Sequence, residues 1–170
     1  GIILLALGIT MIIGAASGAK SPLNPLSGIV NKQASISHSG LSFKRIHSMA
    51  ELEENIQNAK GKTLMLDFYA DWCVACKELE QFTFSDAGVK NALKNTVLLQ
   101  ADVTNNTPED IALLNRFKLF GPPGIVFFNQ AGQEIAALKV VGYQPPEEFI
   151  KTLQKLNSLG ADECNPSIVC

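Results

Sequence analysis

The stretch Trp72-Cys73-Val74-Ala75-Cys76-Lys77 constrains this chain more than any other. Two cysteines three positions apart follow an apolar run, residues 64–70, whose one charged side chain is Asp67. The residues after Cys76 favour helix. A strand that hands a Cys-x-x-Cys pair to the first turn of a helix is suited to thiol–disulfide exchange, because the helix start favours the thiolate that does the attacking. Cys73, at the helix start, is then the cysteine that attacks a partner disulfide. Cys76, one turn inward, resolves the mixed disulfide. Two other readings fit the same spacing: half of a zinc site, or two inert core cysteines. A structural zinc normally takes four ligands, and the remaining cysteines, Cys164 and Cys170, lie far downstream at an unusual mutual spacing.

Two carboxylates accompany the pair. Asp67 precedes Cys73 by six residues on the expected strand, and Glu80 follows Cys76 by four, on the same face of the expected helix. A nearby carboxylate opposes thiolate formation, and burial raises the carboxylate's own pKa. Such a group can accept the Cys76 proton when that thiol must attack. A satisfied buried polar residue for Asp67, and a solvated helix face for Glu80, are the plainer alternatives. Trp72 either shields the disulfide or simply packs. Pro122-Pro123 before a strand suggests a cis bond in a tight turn, with an all-trans loop as its alternative.

The remainder of the chain organises around this site. Residues 2–19, bounded by Ile2 and Ala19, carry no charge. As a helix they would span about 27 Å against a hydrocarbon core of about 30 Å. A transmembrane helix over 1–20 is expected, with a signal peptide or a buried helix as rivals. The chain opens on Gly1, as expected of a processed chain or a fragment of a longer one. Residues 21–40 are rich in Ser, Pro, Asn and Gly, and read as a linker. His38 and His47 are expected at the surface.

From residue 41 to 159 the pattern predicts one α/β domain. Strands are expected at 41–46, 63–70, 96–103 and 125–128, with 134–141 pairing back as a hairpin. Ser48 before Glu51 and Thr107 before Pro108 mark helix starts. Leu52 and Ile56 face inward from the first of these helices; Ile111, Leu114 and Phe117 do so from the second. The last helix buries Phe149, Ile150, Leu153 and Leu156 and stops at 157–160, leaving a tail over 160–170. The order predicts parallel β-α-β units, then an antiparallel hairpin: a mixed sheet of four to five strands with helices on both faces. A net charge of −2 gives a nucleic-acid partner no electrostatic support.

Asp67-Phe68-Tyr69-Ala70-Asp71-Trp72-Cys73-x-x-Cys76-Lys77, with Pro123 before a strand, resembles the thioredoxin superfamily. The longer run through Glu78, then Thr83-Phe84-Ser85-Asp86, and Val97-Leu98-Leu99-Gln100-Ala101 resemble the C-terminal periplasmic domain of the DsbD family of thiol:disulfide interchange proteins. The resemblance covers roughly residues 43–156. It implies a thioredoxin fold, a redox-active Cys73–Cys76 disulfide with no other cofactor and no metal, and a cis bond before Pro123. It also implies that Asp67 and Glu80 tune the cysteines, and that Trp72, Pro122 and Pro123 border the partner.

It implies a direction as well. Electrons from cytoplasmic thioredoxin would cross a membrane domain of the same larger protein, reach this domain, and pass to a periplasmic N-terminal domain or another periplasmic thiol protein. Disulfide isomerisation and cytochrome c maturation would be served downstream, from the bacterial inner membrane. A stand-alone anchored oxidoreductase with another substrate, or a non-enzymatic module with this fold, are the alternatives. Two departures stand out: the family's usual apolar residue and Thr on either side of the cis-proline are here Pro122 and Gly124. A small local disulfide, free thiols or a second redox pair are the readings of Cys164 and Cys170.

Overall fold

A computed structural model describes residues 41–162, with side-chain surroundings for 41–159. The expected membrane helix, the linker with His38, and Cys164 and Cys170 lie outside the described residues. Among the described residues, no helix is long and apolar enough to cross a membrane.

The elements run β1 (Lys44–Ile46), α1 (Met49–Asn58), β2 (Thr63–Tyr69), α2 (Val74–Glu78) with a π-helical turn (Leu79–Thr83), α3 (Ala87–Ala92), β3 (Thr96–Asp102), α4 (Pro108–Arg116), β4 (Gly124–Phe128), a 3-10 turn (Ala136–Leu138), β5 (Val140–Val141) and α5 (Pro146–Asp162). Five strands form one sheet in the order β1-β3-β2-β4-β5. β1 and β2 run parallel to β3, whereas β4 is antiparallel to β2 and to β5. This is the expected mixed sheet, a thioredoxin fold.

Side chains alternate across the sheet and build a core on each face. Leu64, Leu66 and Phe68 of β2 pack on one side with Leu52 of α1 and Leu113 of α4. Met65 packs on the other with Val89 of α3 and Phe149 and Leu153 of α5. β2 is therefore central and wholly buried. Its single carboxylate, Asp67, is buried with it.

The helix starts follow the expected caps. The Ser48 hydroxyl accepts the Glu51 N–H at 3.2 Å, while the Glu51 carboxylate takes the His47 N–H at 2.7 Å. Thr107 and Asp110 form a reciprocal capping box ahead of α4, with Pro108 in its first turn. His47 is exposed, as expected.

Four expectations are corrected. Ile111 faces outward at 42% exposure, and Leu113 takes the inward position beside Leu114 and Phe117. The return strand over 134–141 reduces to a bridge at Glu134, a 3-10 turn and the two residues of β5. There Leu138 turns into the second core rather than staying in strand register. The last helix does not stop at 157–160; α5 continues to Asp162, since Gly160 lowers helix propensity without ending the hydrogen-bond ladder. Finally, the helix after Cys73 is regular only to Glu78. It then widens, with the Phe84 N–H bonded to the Leu79 carbonyl at 2.7 Å.

Candidate active site

The strand register brings the site together. Parallel pairing ends β2 beside β3 at Tyr69 and Asp102, and antiparallel pairing starts β4 opposite Phe68, at Gly124. The loop leaving β2 towards Cys73 and the loop entering β4 through Pro122-Pro123 therefore share one end of the sheet. β5 ends there too: Val141 pairs with Gly124, and the Gly142 N–H donates to the Pro123 carbonyl at 3.0 Å.

The chain leaves β2 by a tight turn in which the Cys73 N–H donates to the Ala70 carbonyl at 3.0 Å. Asp71 and Trp72 are its central residues. Cys73 is the N-cap of α2, and its sulfur accepts the Cys76 N–H at 3.1 Å. A backbone donor aimed at Sγ stabilises negative charge there once the pair is reduced. Cys73 and Cys76 are joined by a disulfide, S–S 2.05 Å, and both are buried. The Cys76 sulfur lies 3.9 Å from the Phe68 carbonyl oxygen, one residue beyond Asp67. Among the described residues, no group of three or more His, Cys, Asp or Glu is arranged to hold a metal ion.

Asp67 is 3% exposed. Its carboxylate accepts from Gln100 Nε2 at 3.0 Å, across the β2–β3 pairing that sets Asp67 opposite Gln100. Burial pushes its pKa up to about 7, the Gln100 hydrogen bond acts against that rise, and the charge of Glu80 adds to it. Asp67 thus sits near the midpoint of its titration at neutral pH. Glu80, half-buried, lies in the π-helical turn that follows α2. The Glu80 charge thus acts on Asp67 across the site.

Trp72 is largely exposed and is not free: its indole N–H donates to the Thr104 carbonyl at 3.2 Å. Burial, a hydrogen bond to Asp71 and the charges of Glu80 and Asp71 push the Tyr69 phenol up to about 12, against the pull of Arg45. Tyr69 is therefore protonated throughout the neutral range.

The Pro122–Pro123 peptide bond is cis. Neither proline has a backbone N–H, and the Pro123 carbonyl is already used by Gly142. Gly124 has a packing reason: a Cβ there would lie 2.7 Å from Leu119 Cδ1, and Leu119 is buried. Leu119 fills the space that a side chain at 124 would need.

Two residues near the site carried no role in the sequence reading. Gln100 is the one polar residue in the apolar run 97–101, and in a parallel register it falls opposite the one charge of β2. That pairing of two polar interruptions was its signal. Thr104 carried none, because it follows a strand end and the turn it holds, Asp71 and Trp72, is more than thirty residues away in the chain.

A thioredoxin-like domain family model matches residues 51–157. The C-terminal domain of Neisseria meningitidis DsbD, in its oxidised form, superposes with a TM-score of 0.53 at 34% identity, over 62% of this chain and 90% of that one. The chain belongs to the thioredoxin-like family, as a DsbD-type domain. A thioredoxin from Thermus thermophilus matches this thioredoxin-like domain with a TM-score of 0.56 at 27% identity, over 74% of this chain and 95% of that one. The thiol:disulfide interchange protein DsbD of Ralstonia nicotianae is 43% identical over 98% of the chain and 28% of its own length. That of Klebsiella pneumoniae is 52% identical over 64% of the chain and 18% of its own length. The chain thus spans less than a third of the length of these relatives. The redox group of the thioredoxin-like domain is its cysteine pair, the equipment of a thiol–disulfide oxidoreductase.

Proposed function

We propose that this chain passes electrons by dithiol–disulfide exchange, as the output domain of a membrane-anchored protein-disulfide reductase. The observation that carries the reading is the Cys73–Cys76 disulfide at the end of the sheet, bordered by exposed apolar side chains. Trp72 and Val74 flank Cys73. Phe120 is fully exposed just before the cis-proline loop. Val141 and Tyr143 are exposed on the segment bonded to that loop. Apolar surface gathered around a redox pair suits a protein partner better than a small thiol.

In the reduced domain, the Cys73 thiolate attacks one sulfur of a partner disulfide. A Cys73–partner bond forms, and one partner thiolate leaves. The Cys76 thiol gives up its proton and attacks the Cys73 sulfur, which re-forms Cys73–Cys76 and releases the second partner thiolate. Two electrons leave the domain; the one proton that Cys76 loses passes to a base within the domain, and the two released partner thiolates take up protons from water. Asp67 is the acceptor for the Cys76 proton, since the Cys76 sulfur packs one residue from it along β2 and a base near pH 7 is matched to that task. Glu80 raises the basicity of Asp67. Trp72, Pro122 and Pro123 border the docking partner, with Pro122 contributing a carbonyl and apolar surface but no donor.

The electron source in this reading is a membrane domain of the same larger protein, attached through residues 1–20 and the linker 21–40 and supplied ultimately by cytoplasmic thioredoxin. The acceptor is a periplasmic N-terminal domain or another periplasmic thiol protein, serving disulfide isomerisation and cytochrome c maturation from the inner membrane. The names of the DsbD relatives and their overlap with this chain support it. The decisive experiment is Cys76→Ala in cells, which traps the acceptor on Cys73 for identification. Cys73→Ala is expected to abolish transfer, and undiminished transfer in that variant sinks the reading.

A further inference from the structure

Behind the turn that carries Cys73 stands a short polar chain that the exchange steps do not use. The Asp71 N–H donates to the Thr104 hydroxyl at 2.9 Å, and the Trp72 indole N–H donates to the Thr104 carbonyl at 3.2 Å. Asp71 and Trp72 are the two central residues of the Ala70–Cys73 turn, so one residue grips both. The Val103 N–H also donates to the Tyr69 carbonyl at 2.8 Å, continuing the β2–β3 pairing up to this grip.

Thr104 is itself oriented. Its hydroxyl donates to Asp102 Oδ1 at 2.5 Å, and its N–H reaches the same oxygen at 3.1 Å. The other Asp102 oxygen pairs with Arg45 of β1, whose guanidinium lies over the Tyr69 ring. A hydroxyl that donates to a carboxylate has its lone pairs turned towards the remaining donor, here the Asp71 N–H. The direction of every hydrogen bond in the chain is thereby determined.

We propose that Thr104, backed by Asp102, is a positioning residue for disulfide exchange: it holds the Asp71–Trp72 turn so that Cys73 and the exposed Trp72 ring meet an incoming disulfide in one orientation. The inference rests on the exchange reading above. Its physical basis is the geometry of in-line attack. A thiolate must approach along the S–S axis of its target, and a turn free to rock by a fraction of an ångström spends less time aligned. The indole bond goes to the Thr104 main-chain carbonyl, which any residue there supplies; what the hydroxyl adds is its hold on the Asp71 N–H, the neighbouring residue of the same turn.

The test uses the full chain and insulin as the disulfide probe, with dithiothreitol as electron donor. Thr104→Val keeps the side chain's shape and removes the hydroxyl, whereas Thr104→Ser keeps the hydroxyl. Thr104→Val is expected to lower kcat/KM for insulin by about tenfold, with Thr104→Ser within about twofold of the parent. Trp72 is the chain's one tryptophan, so its fluorescence anisotropy reports the turn directly. Local rotation should become faster in Thr104→Val and not in Thr104→Ser. Equal rates in Thr104→Val and the parent overturn the proposal, as does a Thr104→Ser variant as slow as Thr104→Val. Should Thr104→Val not fold, Asp102→Asn replaces it, with a smaller loss and a measurable loosening of Trp72 expected; an unchanged Asp102→Asn is then the overturning result. A parent chain that does not reduce insulin defeats the exchange reading instead, and Trp72 anisotropy still judges the grip on its own.

Discussion

Asp67 and Asp102 stand near the ends of neighbouring strands, and each is hydrogen-bonded by a polar partner from β3 or the loop after it. Beneath the disulfide, Asp67 is enclosed by β2 and β3 and receives one neutral donor, Gln100. Burial wins there, and the pKa climbs to about 7. On the outer flank burial also pushes Asp102 up, but the Thr104 hydroxyl and N–H and the Arg45 guanidinium outweigh it and hold Asp102 below the usual carboxylate range. The difference lies in the count and charge of donors, and in water. One flank holds a carboxyl that keeps its proton up to near-neutral pH. The other keeps a fixed negative charge on which geometry is built.

The largest effect should come from removing the buried charge. The Asp67 carboxyl titrates from 3.8 when unfolded to about 7 when folded. Between those values the folded state holds a proton that the unfolded state has lost, so stability falls as pH rises across that window. Asp67→Asn should remove this slope and stabilise the domain at pH 9 by on the order of 3 kcal/mol, read from urea unfolding at several pH values. The same variant should lose the rise in exchange rate centred near pH 7, and a rise that survives would remove Asp67 from the proton-transfer role.

Gln100→Leu sharpens the contrast from the other side. It deletes the one neutral donor, so the Asp67 titration should move further up and the rate limb with it. At pH 9, where Asp67 is ionised, the unpartnered carboxylate should cost about 2 kcal/mol. At pH 5, where Asp67 is protonated, the cost should be smaller. A pH-independent penalty would mean that Gln100 only packs.

Asp102→Asn acts on the outer flank and should be milder, about 1 kcal/mol at pH 7. Its sign is opposite to that of Asp67. A depressed carboxyl contributes stability above its unfolded pKa that is lost as pH falls through the folded one, so the variant should flatten the acid side of the stability curve. Smallest is Arg45→Ala, expected near 0.5 kcal/mol because the guanidinium is half exposed and salt screens it. Its effect should vanish in 1 M salt, whereas that of Gln100→Leu should persist.

Much of the fold was legible because local signals agreed with tertiary needs. Ser48, Thr107 and Pro108 mark helix starts by chemistry that acts within a few residues, and the continuous apolar runs of β2 and β3 can be satisfied only in a sheet covered on both faces. Where two faces compete, the pattern was ambiguous. Ile111 and Leu113 are both apolar, and only the placement of α4 on the sheet selects Leu113. The region 134–141 reads as strand by composition, yet its backbone turns after Glu134, because burying Leu138 in the second core and tying Lys139 Nζ to the Phe117 carbonyl at 2.6 Å outweighs a longer ladder.

The sequence by itself determined the redox pair, the class of fold and the carboxylates to be weighed, since a Cys-x-x-Cys between strand and helix and a lone charge in an apolar strand are local facts. The tertiary structure alone decided what surrounds Asp67, and it alone drew in Asp102, which the chain pattern did not single out. Asp67 and Asp102 are the same residue type near two strand ends; Thr104 is a local partner of Asp102, but nothing adjacent in the chain says that Asp67 will meet the Gln100 amide inside the sheet or that Asp102 will meet the Arg45 guanidinium. Strand register supplies those partners. A pKa is set by neighbours in space, and register is where this sequence chooses them.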